Sequence, residues 1–369
     1  MKCLFFGLLA AVAFAASPAH AEILVGQTSG FTGAAAIPVK ELTDGAHLYL
    51  DAVNAAGGVN GQKITLISLD DQFEPKLAAE NARSLIVDKH VVALFLNRGT
   101  PHTEAIAPLL AEYKLPLVAP SSGAMVLHKP VNPYIFNVRA TYQREAERAV
   151  HHLSLIGQDR IAVLQTDDSF GADVAAGADA GFASVGKKPV VKLVFDRNKP
   201  DFSKAAPAIV KADAQSVLIF GSSTAVVDAT KAIRAAGSRA TIVTVSNNAS
   251  AGFIKQMGVH HRGVIVTQVF PNERSISAPI VKEAVDLARA KGMDGVSPAN
   301  MEGFVAAKVL VEGLRRAGPK PTRQGLVSAL NAMQRVNLGG MELSFSPSDH
   351  TGIVFTDISI ISEDGKFRR

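Results

Sequence analysis

Short apolar runs alternate with helix-patterned segments along almost the whole chain. In the first half the runs are ILVGQ (23–27), KITLISLDD (63–71), VVALFL (91–96), LPLVAP (115–120) and YIFNV (134–138). In the second half they are RIAVLQ (160–165), VVKLVF (190–195), SVLIFG (216–221) and TIVTVS (241–246). The segments between them, such as LTDGAHLYLDAVNAAGG, have helical spacing, and this one closes on Gly57-Gly58, a helix stop. Near-continuous apolar strands separated by helices predict parallel sheets covered on both faces. Right-handed crossovers then make them doubly wound α/β sheets. The strands are too many for one open sheet, so two similar lobes are predicted, with the change near 139–143. After GVIVTQVFP (263–271) two or three helices follow without strands. One of them, MEGFVAAKVLVEGLRRAG, carries Lys308, Glu312 and Arg316 as an i,i+4 stripe on an otherwise apolar helix. Strands return only at MELSFS and GIVFTDISII.

The first 21 residues stand outside this pattern. Lys2, an apolar run and Ala19-His20-Ala21 read as a secretory signal cleaved before Glu22, so export to the periplasm is expected. The apolar run falls short of the roughly 20 residues a bilayer span needs. Cys3 is the sole cysteine and precedes that run, so the mature chain is expected to have neither a disulfide nor a cysteine nucleophile. The formal charge of +5 is spread along the chain with no Lys/Arg stripe interleaved with aromatics, which speaks against nucleic acid and is consistent with an anionic ligand.

In doubly wound folds ligands bind beyond the carboxyl ends of the strands. That rule points to the loops 27–33, 97–100, 121–123, 167–171, 221–224 and 246–249. GQTSGFTG, with Asp70-Asp71 ending the next strand, has the outline of a dinucleotide site, but its spacing departs from G-x-G-x-x-G and Pro38 sits where the helix would begin. No phosphate-binding G-x-x-x-x-G-K-[ST] loop, no G-x-S-x-G elbow and no H-E-x-x-H motif is present. His151-His152 and His260-His261 are chain neighbours that point apart, so no metal is expected, and no cofactor either. Asp70-Asp71 and Asp167-Asp168 end strands at the cleft, either as acid/base candidates or as solvated loop ends and caps. Thr100-Pro101 fits an N-cap and first-turn pair worth about 1 kcal/mol to the helix itself. The same helix start offers free N–H groups to a carboxylate. Ser121-Ser122-Gly123 repeats the arrangement after the next strand, and Gly99 and Gly123 permit close backbone approach.

The stretch DAVNAAGGVNGQKITLISLDDQFEPKLAAENARSLI resembles a characteristic segment of type I periplasmic solute-binding proteins, the leucine/isoleucine/valine-binding receptors of ABC importers. The resemblance continues through LPLVAPSSG, YIFNVRATYQRE (which contains Tyr142), TDDSFGADV, FGSSTAVVDATKAIRAAG and EGFVAAKVLVEGLRRAG, and spans essentially the whole mature chain. It implies the type I periplasmic binding protein fold, two lobes joined by three hinge crossovers near 138–141, 267–271 and 345–349. The lobes then comprise 22–139 plus 269–345 and 140–268 plus 346–369. It also implies a monomeric, non-enzymatic receptor that closes on a small solute and docks on a membrane permease. A sensory module of the same fold, or an enzyme using the cleft carboxylates, is the alternative. The family's carboxylate-binding positions fall on Thr100, Ser122 and Gly123, beside Ser121 and Arg98. Its tyrosine before a glycine falls on Phe170, and its ammonium-binding acid on Asn247-Asn248, so phenol and acid are both missing. Asp167 or Asp168 substitutes for the acid, or the ligand carries a carboxylate and no ammonium, such as an aromatic or keto acid, with Phe31, Phe170 and Phe220 as apolar walls.

Overall fold

The structure, a computed structural model, describes residues 22–369; the leader and Cys3 lie outside them. Chain order in the first lobe is β1 (Ile23–Ser29), α1 (Ala36–Ala55), β2 (Ile64–Asp70), α2 (Pro75–Val87), β3 (Ala93–Phe95), α3 (Thr100–Tyr113), β4 (Leu117–Val118) and β5 (Ile135–Phe136). The five strands form one parallel sheet in the order β2-β1-β3-β4-β5. The chain then enters the second lobe with α4 (Tyr142–Leu155), β6 (Ile161–Thr166), α5 (Ser169–Ser184), β7 (Val191–Phe195), α6 (Ala205–Lys211) and β8 (Ser216–Phe220). It continues through α7 (Ser223–Ala235), β9 (Thr241–Thr244), α8 (Ala251–Met257) and β10 (Ile265–Gln268). Helices α9 (Pro279–Ala290), α10 (Pro298–Arg316) and α11 (Arg323–Asn331) return to the first lobe, with a small ladder of β11 (Val336–Asn337) and β12 (Glu342–Leu343). Strands β13 (Asp357–Ile361) and β14 (Phe367–Arg368) close the second sheet, ordered β14-β13-β10-β9-β8-β6-β7.

The apolar runs follow burial. Central strands β6 and β8 are buried at every position, whereas the edge strands β2 and β7 alternate, which is why their sequences admit lysine and serine. The second sheet is not wholly parallel: β13 runs antiparallel to β10. The strands' carboxyl ends face the cleft, so a chain returning from the other lobe enters the sheet from that side and must run the opposite way. The three passages between lobes follow β5, β10 and Ile353. The last lies beyond the expected boundary at 346. Gly352 N–H donates to Asn137 O at 2.8 Å, Ile353 N–H donates to Val138 O at 3.1 Å, and His350 stacks on Phe136 at 4.1 Å, so this segment extends the first sheet.

Helices α1 and α10 cross at backbone contact. A Cβ on Gly303 would lie 1.8 Å from Leu42 O, and one on Gly45 2.0 Å from Asn300 O. Their cluster, with Leu42, Phe304 and Leu310, is the core of the first lobe. The glycines of GQTSGFTG serve packing too. Gly26 lies inside β1, while Cβ atoms on Gly30 and Gly33 would each meet the 72–73 loop at 2.9 Å. Asp70 accepts from Thr32 N–H and Oγ1 and from Gln72 N–H, so it ties two loops together where a dinucleotide would need it free. No helix of the described residues is long and apolar enough to cross a membrane.

Candidate functional site

The loops at the carboxyl ends of the two sheets meet across a cavity of ≈ 280 Å³. The lobes are shut over it. Arg98 Nη2 donates to Asn247 O at 2.5 Å, Gly252 N–H donates to Glu41 at 2.7 Å, and Met125 N–H donates to Asp173 at 3.0 Å.

Strands β3 and β4 place their loops side by side, as Arg98 pairs with Ser121 and Ser121 N–H donates to Asn97 O at 2.7 Å. Gly99, at φ +102°, is the N-cap of α3; a Cβ there would strike His102 Nδ1 at 2.4 Å. Thr100 is therefore the first helical residue and not the cap. Its hydroxyl shares a hydrogen bond of 2.8 Å with Ser122 Oγ, both fully buried. Thr100 and Ser121 border the cavity. Ser122 stands behind Thr100, and Gly123 is a packing position, where a Cβ would lie 2.6 Å from Ala140 O.

Arg98 is the dominant charge. It is 6 % exposed, its Nη1 reaches Ser121 Oγ at 3.4 Å, and no carboxylate of the described residues lies within ion-pair distance. Glu302 acts on it only from farther off, being bound to Arg139 at 3.4 Å. Burial pulls the Arg98 pKa down. A buried guanidinium with unused donors is a strong demand for an anion.

The opposite wall contains Tyr142, Phe170 and Asn247. Phe170 packs edge-on against Tyr142 at 5.0 Å, so the phenol absent from position 170 is present one helix away. Asn247 Nδ2 donates to Gly221 O at 3.0 Å, leaving Oδ1 without a partner. Besides Ser122 and Gly123, three expected residues do not reach the cavity. Asn248 is fixed by Ser223, Gly221 and Thr244; Phe220 is wholly buried in the β8 core; Phe31 is half-buried and borders no part of the cavity. The carboxylate pairs are occupied as well. Asp167 accepts from Arg197 N–H; Asp168 caps α5 through Gly171 N–H and pairs with Arg197. Neither substitutes for an ammonium-binding acid in the wall. The one acid that borders the cavity is the exposed Glu74. Among the described residues no cluster of three or more histidines, cysteines or acids could hold a metal.

Phe73, Arg197, Phe195 and Thr166 also border the cavity, and sequence reasoning passed over them. Phe73 sits at φ 61°, a left-handed conformation that costs a side chain about 1–2 kcal/mol. Asp71 holds it there, accepting Phe73 N–H at 3.0 Å and Thr28 Oγ1 at 3.1 Å. The Phe73 ring lies 4.5 Å from His102 in a stacked pair and 4.5 Å from the Arg197 guanidinium of the other lobe. Strand-end loops after β2 and β7 obey the same binding rule as the others, and applying it to them would have exposed both residues.

Burial sets opposing proton affinities around this wall. It depresses His102 to about 3 and His128 to about 4, and raises Asp71 to about 6. Below pH 6.5 the unfolded chain protonates the two histidines and the folded chain does not, so each removes about 1.4 kcal/mol of stability per pH unit of acidification. Below about pH 6 the folded chain protonates Asp71 before the unfolded chain does, which returns about the same amount for one group. His102→Asn is therefore expected to lose clearly less stability than the wild type between pH 6.5 and 4.5 in chemical denaturation. An acid-insensitive wild type would refute the neutral buried histidines.

Two α/β lobes shut over a small cavity, with Arg98 and Arg197 in its wall, form a cleft of the size and chemistry to enclose a small solute. Residues 22–360 match the periplasmic binding protein family profile, and the chain belongs to that family. A Leu/Ile/Val-binding protein homolog of Brucella melitensis is 25% identical over 335 residues, 88% of each chain. The crystal structure of a substrate-binding periplasmic protein from Ralstonia solanacearum superposes with a TM-score of 0.86 at 30% identity, covering 94% of this chain and 99% of that one. A branched chain amino acid ABC transporter protein from Thermus thermophilus with bound valine has the same fold at 18% identity, with a TM-score of 0.84 over 95% of each chain. Members of the family are periplasmic, bind small molecules and work with ABC importer permeases without transforming the solute.

Proposed function

We propose that this chain, exported by its N-terminal leader, is the receptor of an ABC importer and captures a small carboxylate that has no ammonium group. Arg98 carries this reading. It is a buried cation with free donors beside the Thr100 and Ser121 hydroxyls, and closure locks it against Asn247 of the other lobe. The absent counterpart supports it equally. An α-ammonium would be buried against Tyr142, Phe170 and the neutral Asn247, with Asp167 and Asp168 both engaged elsewhere. The Brucella relative is named for branched-chain amino acids and the Thermus structure holds valine; this cavity departs from that chemistry at the ammonium end.

The test compares one skeleton with and without the ammonium. Calorimetry is expected to show 3-phenylpropionate binding at least tenfold tighter than phenylalanine, with leucine, isoleucine and valine weaker than micromolar. Micromolar or tighter binding of any of these amino acids would refute the proposal.

A further inference from the structure

A second polar corner of the cavity is built by Thr166, at the end of β6, and Arg197, two residues past β7. The two strands pair there in register, Thr166 against Phe195, and Asp167 N–H donates to Phe195 O at 3.0 Å, so both side chains are set by the sheet. The charge of this corner is already balanced, because Asp168 pairs with Arg197 while its other oxygen accepts Gly171 N–H at 2.9 Å. Its hydrogen bonding is not. Arg197 Nη2 and Thr166 Oγ1 are both buried without a partner, though each residue borders the cavity. The Thr166 methyl, which would contact a Cβ on Gly171 at 3.0 Å, is turned toward α5, leaving the hydroxyl for another side.

The two ends of the cavity therefore ask for different groups. Arg98 asks for a full negative charge. The Thr166–Arg197 corner asks for a neutral oxygen: a second carboxylate would add a charge to an ion pair already complete, and an ammonium would set donor against donor. The same cavity is bordered by Phe73, Phe170, Phe195 and Tyr142, whose rings favour an aromatic body. At ≈ 280 Å³ the cavity lies at the small end of ligand pockets, which suits a single ring with two substituents.

Resting on the carboxylate reading above, the geometry points to an aryl monocarboxylate carrying one hydroxyl or carbonyl oxygen at its far end, which accepts from Arg197 Nη2 and is completed by Thr166 Oγ1. A site built to hydrogen-bond such an oxygen discriminates strongly against the analogue lacking it.

Three kinds of probe separate the two claims in calorimetry of the exported chain: benzoate, its 3- and 4-hydroxy derivatives, and 4-hydroxybenzyl alcohol. The better hydroxybenzoate is expected to bind at least tenfold tighter than benzoate, and Thr166→Val, nearly isosteric, to shrink that ratio below threefold; Arg197→Gln is expected to do the same. Benzoate and both hydroxybenzoates binding equally well would overturn the corner subsite, which water would then fill, and leave the carboxylate reading intact. The alcohol binding as tightly as the acids would overturn the carboxylate reading and leave the subsite standing. Failure of all the probes to bind overturns the subsite.

Discussion

Arg98→Met is expected to weaken binding of the carboxylate ligand by about 3 kcal/mol, roughly a hundredfold, while leaving the ligand-free protein at least as stable as the wild type. The two halves of this expectation come from one observation. Within the protein Arg98 holds only Ser121 Oγ and Asn247 O, so its charge is desolvated with little return from the chain itself. Replacing a buried ion by an apolar side chain of similar length removes that penalty and is often neutral or stabilising by about 1–4 kcal/mol. In the complex the same guanidinium gains charge-assisted hydrogen bonds that methionine cannot make. A residue that serves folding would behave the other way round. Calorimetry and thermal unfolding of the same preparation decide it: a large fall in stability with modestly changed affinity would place Arg98 in the scaffold and remove the main support for an anionic ligand.

How much of this was legible beforehand divides along physical lines. The central strands were readable because burial on both faces demands unbroken apolar runs, as in IAVL of β6 and VLIF of β8. The hydroxyl pair Thr100–Ser122 was readable because adjacent parallel strands present adjacent loops. The capping role of Thr100 was misjudged because Gly99, free to adopt φ +102°, takes the cap and releases the hydroxyl. Phe31 and Phe220 looked like walls because an aromatic near a strand end does not disclose its face; the parity of β8 turns Phe220 into the core. Phe73 and Arg197 were hidden for a further reason. Their importance lies in a contact between lobes, 4.5 Å from ring to guanidinium, and no local pattern encodes what the other lobe brings.

Arg139→Met is expected to cost the folded state about 3–5 kcal/mol, the larger of the two effects on stability. Arg139 sits in the first passage between the lobes with its side chain 1% exposed. It binds Glu145 of α4 at 2.7 Å, Glu302 of α10 at 3.4 Å and Ser246 Oγ, and its guanidinium lies 4.6 Å from the Tyr142 ring. Burial alone would lower its pKa; Glu302, Tyr142 and Glu145 outweigh that and hold it above the ordinary arginine value. Glu145 in turn accepts Ser246 N–H at 2.9 Å and the Thr267 hydroxyl, so the cluster joins the first and second passages to both lobes. Removing the cation leaves two carboxylates facing each other out of water, which is the costly case; removing all the charges together is not. Adding Glu302→Leu and Glu145→Gln, the latter keeping an acceptor for Ser246, is therefore expected to recover more than half of the loss in chemical denaturation. Recovery separates a charge imbalance from a packing defect, because a cavity left by the shortened side chain would persist in the triple variant. A single substitution costing less than about 1 kcal/mol would mean that the cluster behaves like an exposed ion pair, and that the lobes are held at this passage by the β5 extension through Ile353 instead.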